Sequence, residues 1–154
     1  MGFDQDVKVV YSKIATTLTS GDGEDYAKIL LAAPHKPSVD IEISSIDAFA
    51  DYSIKLQGTK GTLKSTLFDC VYKYVEEDFS QLEAEESYDS TQINIRTERV
   101  KFEGTALDVG TAEIYKDVYY ALTENKPLRV SNEQAKMIIG IIEKVYEQKA
   151  ENAR

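Results

Sequence analysis

The stretch LTENKPLRVSNEQAKMI, residues 122–138, stops one element and starts another. Asn125 can take the left-handed conformation that ends a helix, and Pro127 cannot continue one. Ser131 then opens an S-x-x-Q capping box. Its hydroxyl accepts from the Gln134 backbone N–H, while the Gln134 amide reaches back to the Ser131 N–H. Val130 and Ala135 stand where a weak hydrophobic staple would pack. A helix is expected on each side of this punctuation.

Before it, DVGTAEIYKDVYYALTENK (108–126) places Ile114, Val118 and Leu122 at helical spacing, with Tyr115 and Tyr119 widening the stripe. Thr111 is the expected N-cap, and Glu113 complements the helix dipole. After it, Ala135, Ile138, Ile139, Ile142, Val145 and Tyr146 form one apolar face, broadened by Met137 and Ile141. The tail EQKAENAR is polar and expected to fray.

Upstream of residue 108 the period changes from helical to two. VDIEISS (39–45) alternates Val39, Ile41 and Ile43 with Asp40, Glu42 and Ser44. VKVVYSKIATTL (7–18), YAKILLAA (26–33) and YSIKLQ (52–57) read as further strands, separated by TSGDGED and PHKPS. GTKG (58–61) is a hairpin turn leading into TLKSTLFDCVYKYV. EEDFSQLEAEESYDS (76–90) is acidic and expected to be irregular, with room for a short strand. TQINIRTERVKFEG (91–104) pairs Ile93 with Ile95 and Val100 with Phe102 at spacing two. The result is about six to eight short, consecutive strands joined by hairpin-sized connections.

Strands first and helices last give an α+β fold. The expected form is one open, mostly antiparallel or mixed sheet of about six strands, with a C-terminal helix pair on one face. Residues 1–154 are expected to form one such domain. Several strands are apolar in both registers, as at Val9 and Val10 or Leu30 and Leu31. A second covered face is therefore expected, and a partner subunit is the economical cover.

The totals narrow the partners. A net charge of −9 argues against a nucleic-acid groove or an anionic membrane surface, both of which call for a basic stripe. Cys70, the single cysteine, leaves no internal disulfide or multi-cysteine zinc site, and fits a cytoplasmic location. MGFDQDVKVV lacks the basic and apolar regions of a signal peptide, and Asp6 breaks a myristoylation pattern.

Candidate reactive residues have plainer readings beside them. His35, the sole histidine, lies in APHKPS and reads as a solvated turn residue rather than a base or metal ligand. Cys70 has no histidine partner in its neighbourhood and reads as a small hydrophobe. GTKG matches the G-x-x-G loop of KH domains, but here strands flank it, and it is too short for a dinucleotide fingerprint or P-loop. GDGED and EAEESYD lack the ligand spacing of a calcium loop. On residues alone, no catalytic, cofactor-binding or metal site stands out.

Two stretches, however, resemble a known family. VDIEISSIDAFADYSIKLQGTKGTL is similar to the sheet hairpin of the C-terminal domain of Gfo/Idh/MocA oxidoreductases, with Leu56, Gly58, Gly61 and Leu63 on its l-x-G-t-x-G-t-l turn. IYKDVYYALTENKPLRVSNEQAKMIIGIIEKVYEQ resembles the family's terminal helix pair, matched at Tyr115, Ala121, Pro127, Val130, Ala135 and Tyr146. The resemblance implies a parent enzyme using NAD or NADP on a sugar, polyol or related hydroxyl compound. It also implies an N-terminal Rossmann domain, carrying an E-K-P lysine and followed by a D-x-x-x-H motif. G-x-G-x-x-G, E-K-P and an Asp four residues before His35 are not in this sequence. The chain is accordingly expected to be the substrate and oligomerisation piece, inactive by itself. It would be a homo-oligomer through its uncovered sheet face, and Tyr115 is the nominated residue near the small-molecule substrate. A freestanding acidic α+β binding or scaffold module is the competing reading.

Overall fold

The computed structural model describes residues 6–18, 20–76, 94–104 and 106–152. The chain divides into two compact units, residues 1–48 with 127–154, and residues 49–126. The described strands are β1 (Lys8–Ala15), β2 (Tyr26–Ala32), β3 (Val39–Ser44), β4 (Ile54–Gly58), β5 (Gly61–Ser65), β6 (Asp69–Val75) and β7 (Ile95–Lys101). Two helices follow, α1 (Ala106–Glu124) and α2 (Asn132–Asn152). The α+β class and the closing helix pair are thus as the sequence implies.

The ladder, however, is divided. Among the described residues, β1-β2-β3 and β4-β5-β6-β7 form separate, fully antiparallel sheets. The interruption falls in SIDAFADYS (45–53), where the Ser44 hydroxyl accepts the Ile46 N–H at 3.2 Å. Such a local turn draws the backbone out of a ladder.

In the first unit, register explains the doubled apolar pattern of β1. Val9 pairs with Leu31 and Tyr11 with Leu30, so Val10 is a bulge residue without a partner. The bulge brings Val9 onto the same face as Ser12 and Ile14, with Ala27, Ile29 and Leu31 of β2 and Val39, Ile41 and Ile43 of β3. α2 packs on β1 across this face. Val145, Leu31 and Ser12 are buried there. Gln148 ties the helix down: it accepts the Ser12 hydroxyl at 2.6 Å and donates to the Val9 carbonyl at 3.1 Å. On the opposite face Lys28 bridges Asp40 and Glu42, each at 2.9 Å, which raises the ammonium pKa, chiefly through Glu42.

The capping box forms as read. Gln134 N–H donates to the Ser131 hydroxyl at 3.2 Å, and the Ser131 N–H donates to the Gln134 side chain at 2.9 Å. Asn125 is left-handed, with φ 53°. Two details differ from expectation. Thr111 is no N-cap: α1 begins at Ala106, so the Thr111 hydroxyl turns back to the Leu107 carbonyl at 2.8 Å within the helix. The stripe of α2 turned from solvent runs Met137, Ile141, Val145 and Gln148, while Ile138, Ile139, Ile142 and Tyr146 stay exposed. Apolar side chains line more than half of that helix's circumference, and the sheet takes only one stripe of it.

Candidate functional site

The second unit carries a surface depression built by the register of β4–β7. Cross-strand register sets Ile54 opposite Ser65, Leu56 opposite Leu63, and Gly58 opposite Gly61. Continuing across the sheet, Gly61 meets Tyr74, Leu63 meets Tyr72, and Tyr72 meets Glu98. Directly opposed residues share a face, so leucine, glycine, tyrosine and glutamate line one side of β4–β7. A shallow depression of about 330 Å³ opens here, lined by Leu56, Gly58, Gly61, Leu63, Tyr72 and Tyr74, with Lys60, Thr62 and Lys73 beside them.

Glycine is required at its floor. A Cβ on Gly61 would lie 2.4 Å from the Lys73 carbonyl and 2.9 Å from the Tyr74 Cβ. The two-residue connection Thr59–Lys60 closes the β4–β5 hairpin, and the Lys60 carbonyl accepts the Val75 N–H at 3.0 Å. The G-T-K-G motif therefore brings three strands together, with Gly61 packed against the β6 backbone at Lys73 and Tyr74.

Tyr72 and Tyr74 stand two residues apart, with ring centroids 6.1 Å apart and planes inclined by 27°. Both phenols donate to Glu98, Tyr72 to Oε2 at 2.8 Å and Tyr74 to Oε1 at 2.6 Å. These bonds hold the Glu98 carboxyl below its ordinary range, Tyr74 contributing most, and push both phenols above theirs. A carboxylate so held is a weak base, and phenols so held are weak acids near neutrality. The arrangement suits binding: two π faces, an apolar floor and a fixed anion.

His35, Cys70 and Tyr115 are not among the residues that line this depression. His35 occupies an exposed turn with φ 57°. Cys70 sits half-buried on β6, a free thiol. Tyr115 lies in the middle of α1 and is 74% exposed. The acidic GDGED loop has an internal role. The Asp25 carboxylate accepts the Thr17 N–H and hydroxyl at 2.7 and 2.6 Å and the Leu18 N–H at 2.6 Å. Glu24 takes Lys149 of α2 at 2.6 Å and Tyr146 at 3.3 Å, and its carboxyl is lowered mainly by Lys149. EAEESYD and the strand considered within 76–90 fall outside the described residues, except for Glu76.

Register, rather than any motif, makes the Tyr72–Tyr74–Glu98 constellation. The Y-x-Y spacing was its one local signal, since residues two apart on a strand share a face. Glu98 lies 26 residues beyond Tyr72, and only the β6–β7 pairing identifies it.

Among the described residues, no group of three or more His, Cys, Asp or Glu side chains could hold a metal ion. No described helix is long and apolar enough to cross a membrane. A dinucleotide pyrophosphate is held at a strand-to-helix turn within a parallel β-α-β unit. Every described strand pairs antiparallel, so these residues do not fit a nicotinamide dinucleotide.

The family model GFO_IDH_MocA_C, described as "Oxidoreductase family, C-terminal alpha/beta domain", matches residues 1–154. No curated protein and no solved structure matches the chain.

Proposed function

The chain belongs to the Gfo/Idh/MocA oxidoreductase family as its C-terminal α/β domain, and from that premise we propose that it forms the substrate-facing and oligomerisation part of an NAD(P)-dependent enzyme. The substrate class is a sugar, polyol or related hydroxyl compound. NAD or NADP belongs to an N-terminal Rossmann domain that supplies the hydride chemistry, and the location is cytoplasmic. The observation that carries this reading is the family match along all 154 residues.

Within this reading the chain binds and orients, and does not transfer hydride itself. Tyr115 is the residue nominated to face substrate, its phenol being exposed on α1. The apolar side of β4–β7, with Ile54 and Leu56 exposed, provides the surface through which a second copy associates.

Calorimetric titration of the 154-residue chain with NADH and NADPH tests the division of labour. No binding is expected, and tight binding would overturn it. Light scattering over a wide concentration range should show a dimer or larger species; a monomer throughout removes the oligomerisation role. The coding sequence upstream of Met1 discriminates further. A glycine-rich strand–helix start followed by E-K-P supports the enzyme, and its lack supports a freestanding binding module.

A further inference from the structure

The side of β4–β7 opposite the tyrosines carries a different chemistry. In register across it, Lys55 stands opposite Lys64, Thr62 opposite Lys73, Val71 opposite Arg99, and Asp69 opposite Lys101. Alternation puts all of these on one face. Its five cations, Lys55, Lys64, Lys73, Arg99 and Lys101, are exposed, in a chain whose net charge is −9. Lys64 reaches Asp51 at 3.5 Å and lies 5.1 Å from the Tyr52 ring centroid, and Arg99 is 3.7 Å from Asp69. Lys55, Lys73 and Lys101 have no ion-pair partner among the described residues. Lys55 directly opposite Lys64 opposes like charges across a ladder, which stability alone disfavours.

We propose that this basic face is a docking surface for an acidic polypeptide segment of a partner protein. Charge complementarity selects the partner's sign. Strands about 4.8 Å apart spread the cations as a grid, so an extended chain meets several at once while a small anion meets one or two. Nucleic acid is disfavoured because a single ring, Tyr52, lies among these cations, while Tyr72 and Tyr74 project from the other side. A second copy laid on this face about a two-fold axis would set lysine against lysine. A membrane surface would want several exposed aromatic or aliphatic side chains among the cations. Here Val71 is half-buried, Val75 is buried, and Ile95 lies at the end of β7 away from Arg99 and Lys101. The inference stands independently of the oxidoreductase reading.

The test is fluorescence anisotropy with a labelled poly-glutamate peptide and the full chain. Binding should weaken as salt rises, since exposed charge pairs are screened within about 10 Å at 0.1 M. Joint reversal by Lys55→Glu, Lys73→Glu and Lys101→Glu should lower affinity roughly tenfold or more. The milder set Lys55→Gln, Lys73→Gln and Lys101→Gln, checked by circular dichroism, should lower it in the same direction. The control Lys144→Gln, exposed on α2, should leave it unchanged. The proposal is overturned if the unaltered chain does not bind the peptide, or if both lysine sets bind it as the unaltered chain does. Tighter binding of duplex DNA or phosphatidylserine vesicles than of the peptide also overturns it. A change of oligomeric state on charge reversal would make the face a self-interface. Tighter peptide binding once Glu83, Glu85 and Glu86 are neutralised would give the face to the chain's own carboxylates.

Discussion

β1-β2-β3 has a helix seated on its apolar face, with Val145, Leu31 and Ser12 closed off from solvent. β4–β7 buries Val75, and every residue of its edge strands β4 and β7 is exposed. Both sheets arise from the same alternating pattern, but the first is stabilised through its face and the second along its ladder. In the first, Gln148 and Val145 reach down from α2. In the second, contacts run sideways: tyrosine to glutamate, glycine against backbone, and the Thr66 hydroxyl to the Asp69 carboxylate at 2.8 Å. Alternation alone therefore does not say how a sheet is held.

If that contrast is right, the most damaging single change lies in the second sheet. Gly61→Ala should destabilise the unit by about 3 kcal/mol, because its Cβ meets backbone that cannot give way. Urea unfolding measures this, and an unchanged midpoint would break the comparison. In the first sheet Val145→Ala, at a position 4% exposed, should destabilise by about 2 kcal/mol. Ile139→Ala on the same helix, 56% exposed, should stay within about 0.5 kcal/mol. Equal losses for these two would mean that the packed stripe of α2 is assigned to the wrong side. Ser131→Ala should cost about 1 kcal/mol, read as earlier thermal fraying of α2 by circular dichroism.

The smallest effect is a titration. Glu98 has a folded pKa below its unfolded value, so its contribution is present above the ordinary carboxylate range and is lost as pH falls through the lowered value. The phenols are raised, so theirs is present below about pH 10 and lost as pH rises through the raised values. Glu98→Gln should bring both phenol titrations, followed by ultraviolet absorbance, back toward the ordinary tyrosine value. Unshifted titrations would separate the tyrosines from Glu98.

What could be read early was what neighbours in sequence decide. The Ser131–Gln134 box, the left-handed Asn125 and the G-T-K-G hairpin each depend on a few adjacent residues. Thr111 was misplaced as a cap because a hydroxyl near a helix start signals a cap only if the first turn is known. Ala106 begins α1 earlier, and the same hydroxyl bonds within the helix. The α2 stripe was misjudged for a related reason: periodicity shows that a helix has apolar sides, not which one a sheet will accept.

Sequence alone therefore determined the α+β class, the order of strands before helices, the punctuation between α1 and α2, and the kinship of the whole chain. These rest on backbone preferences and periodicity, which act over a few residues. Tertiary structure decided the division into two sheets, the bulge at Val10, the Gln148 anchor, and the gathering of Tyr72, Tyr74 and Glu98 on one face and five cations on the other. Register brings residues far apart in the chain to facing positions, and a shift of one residue would send each to the opposite side.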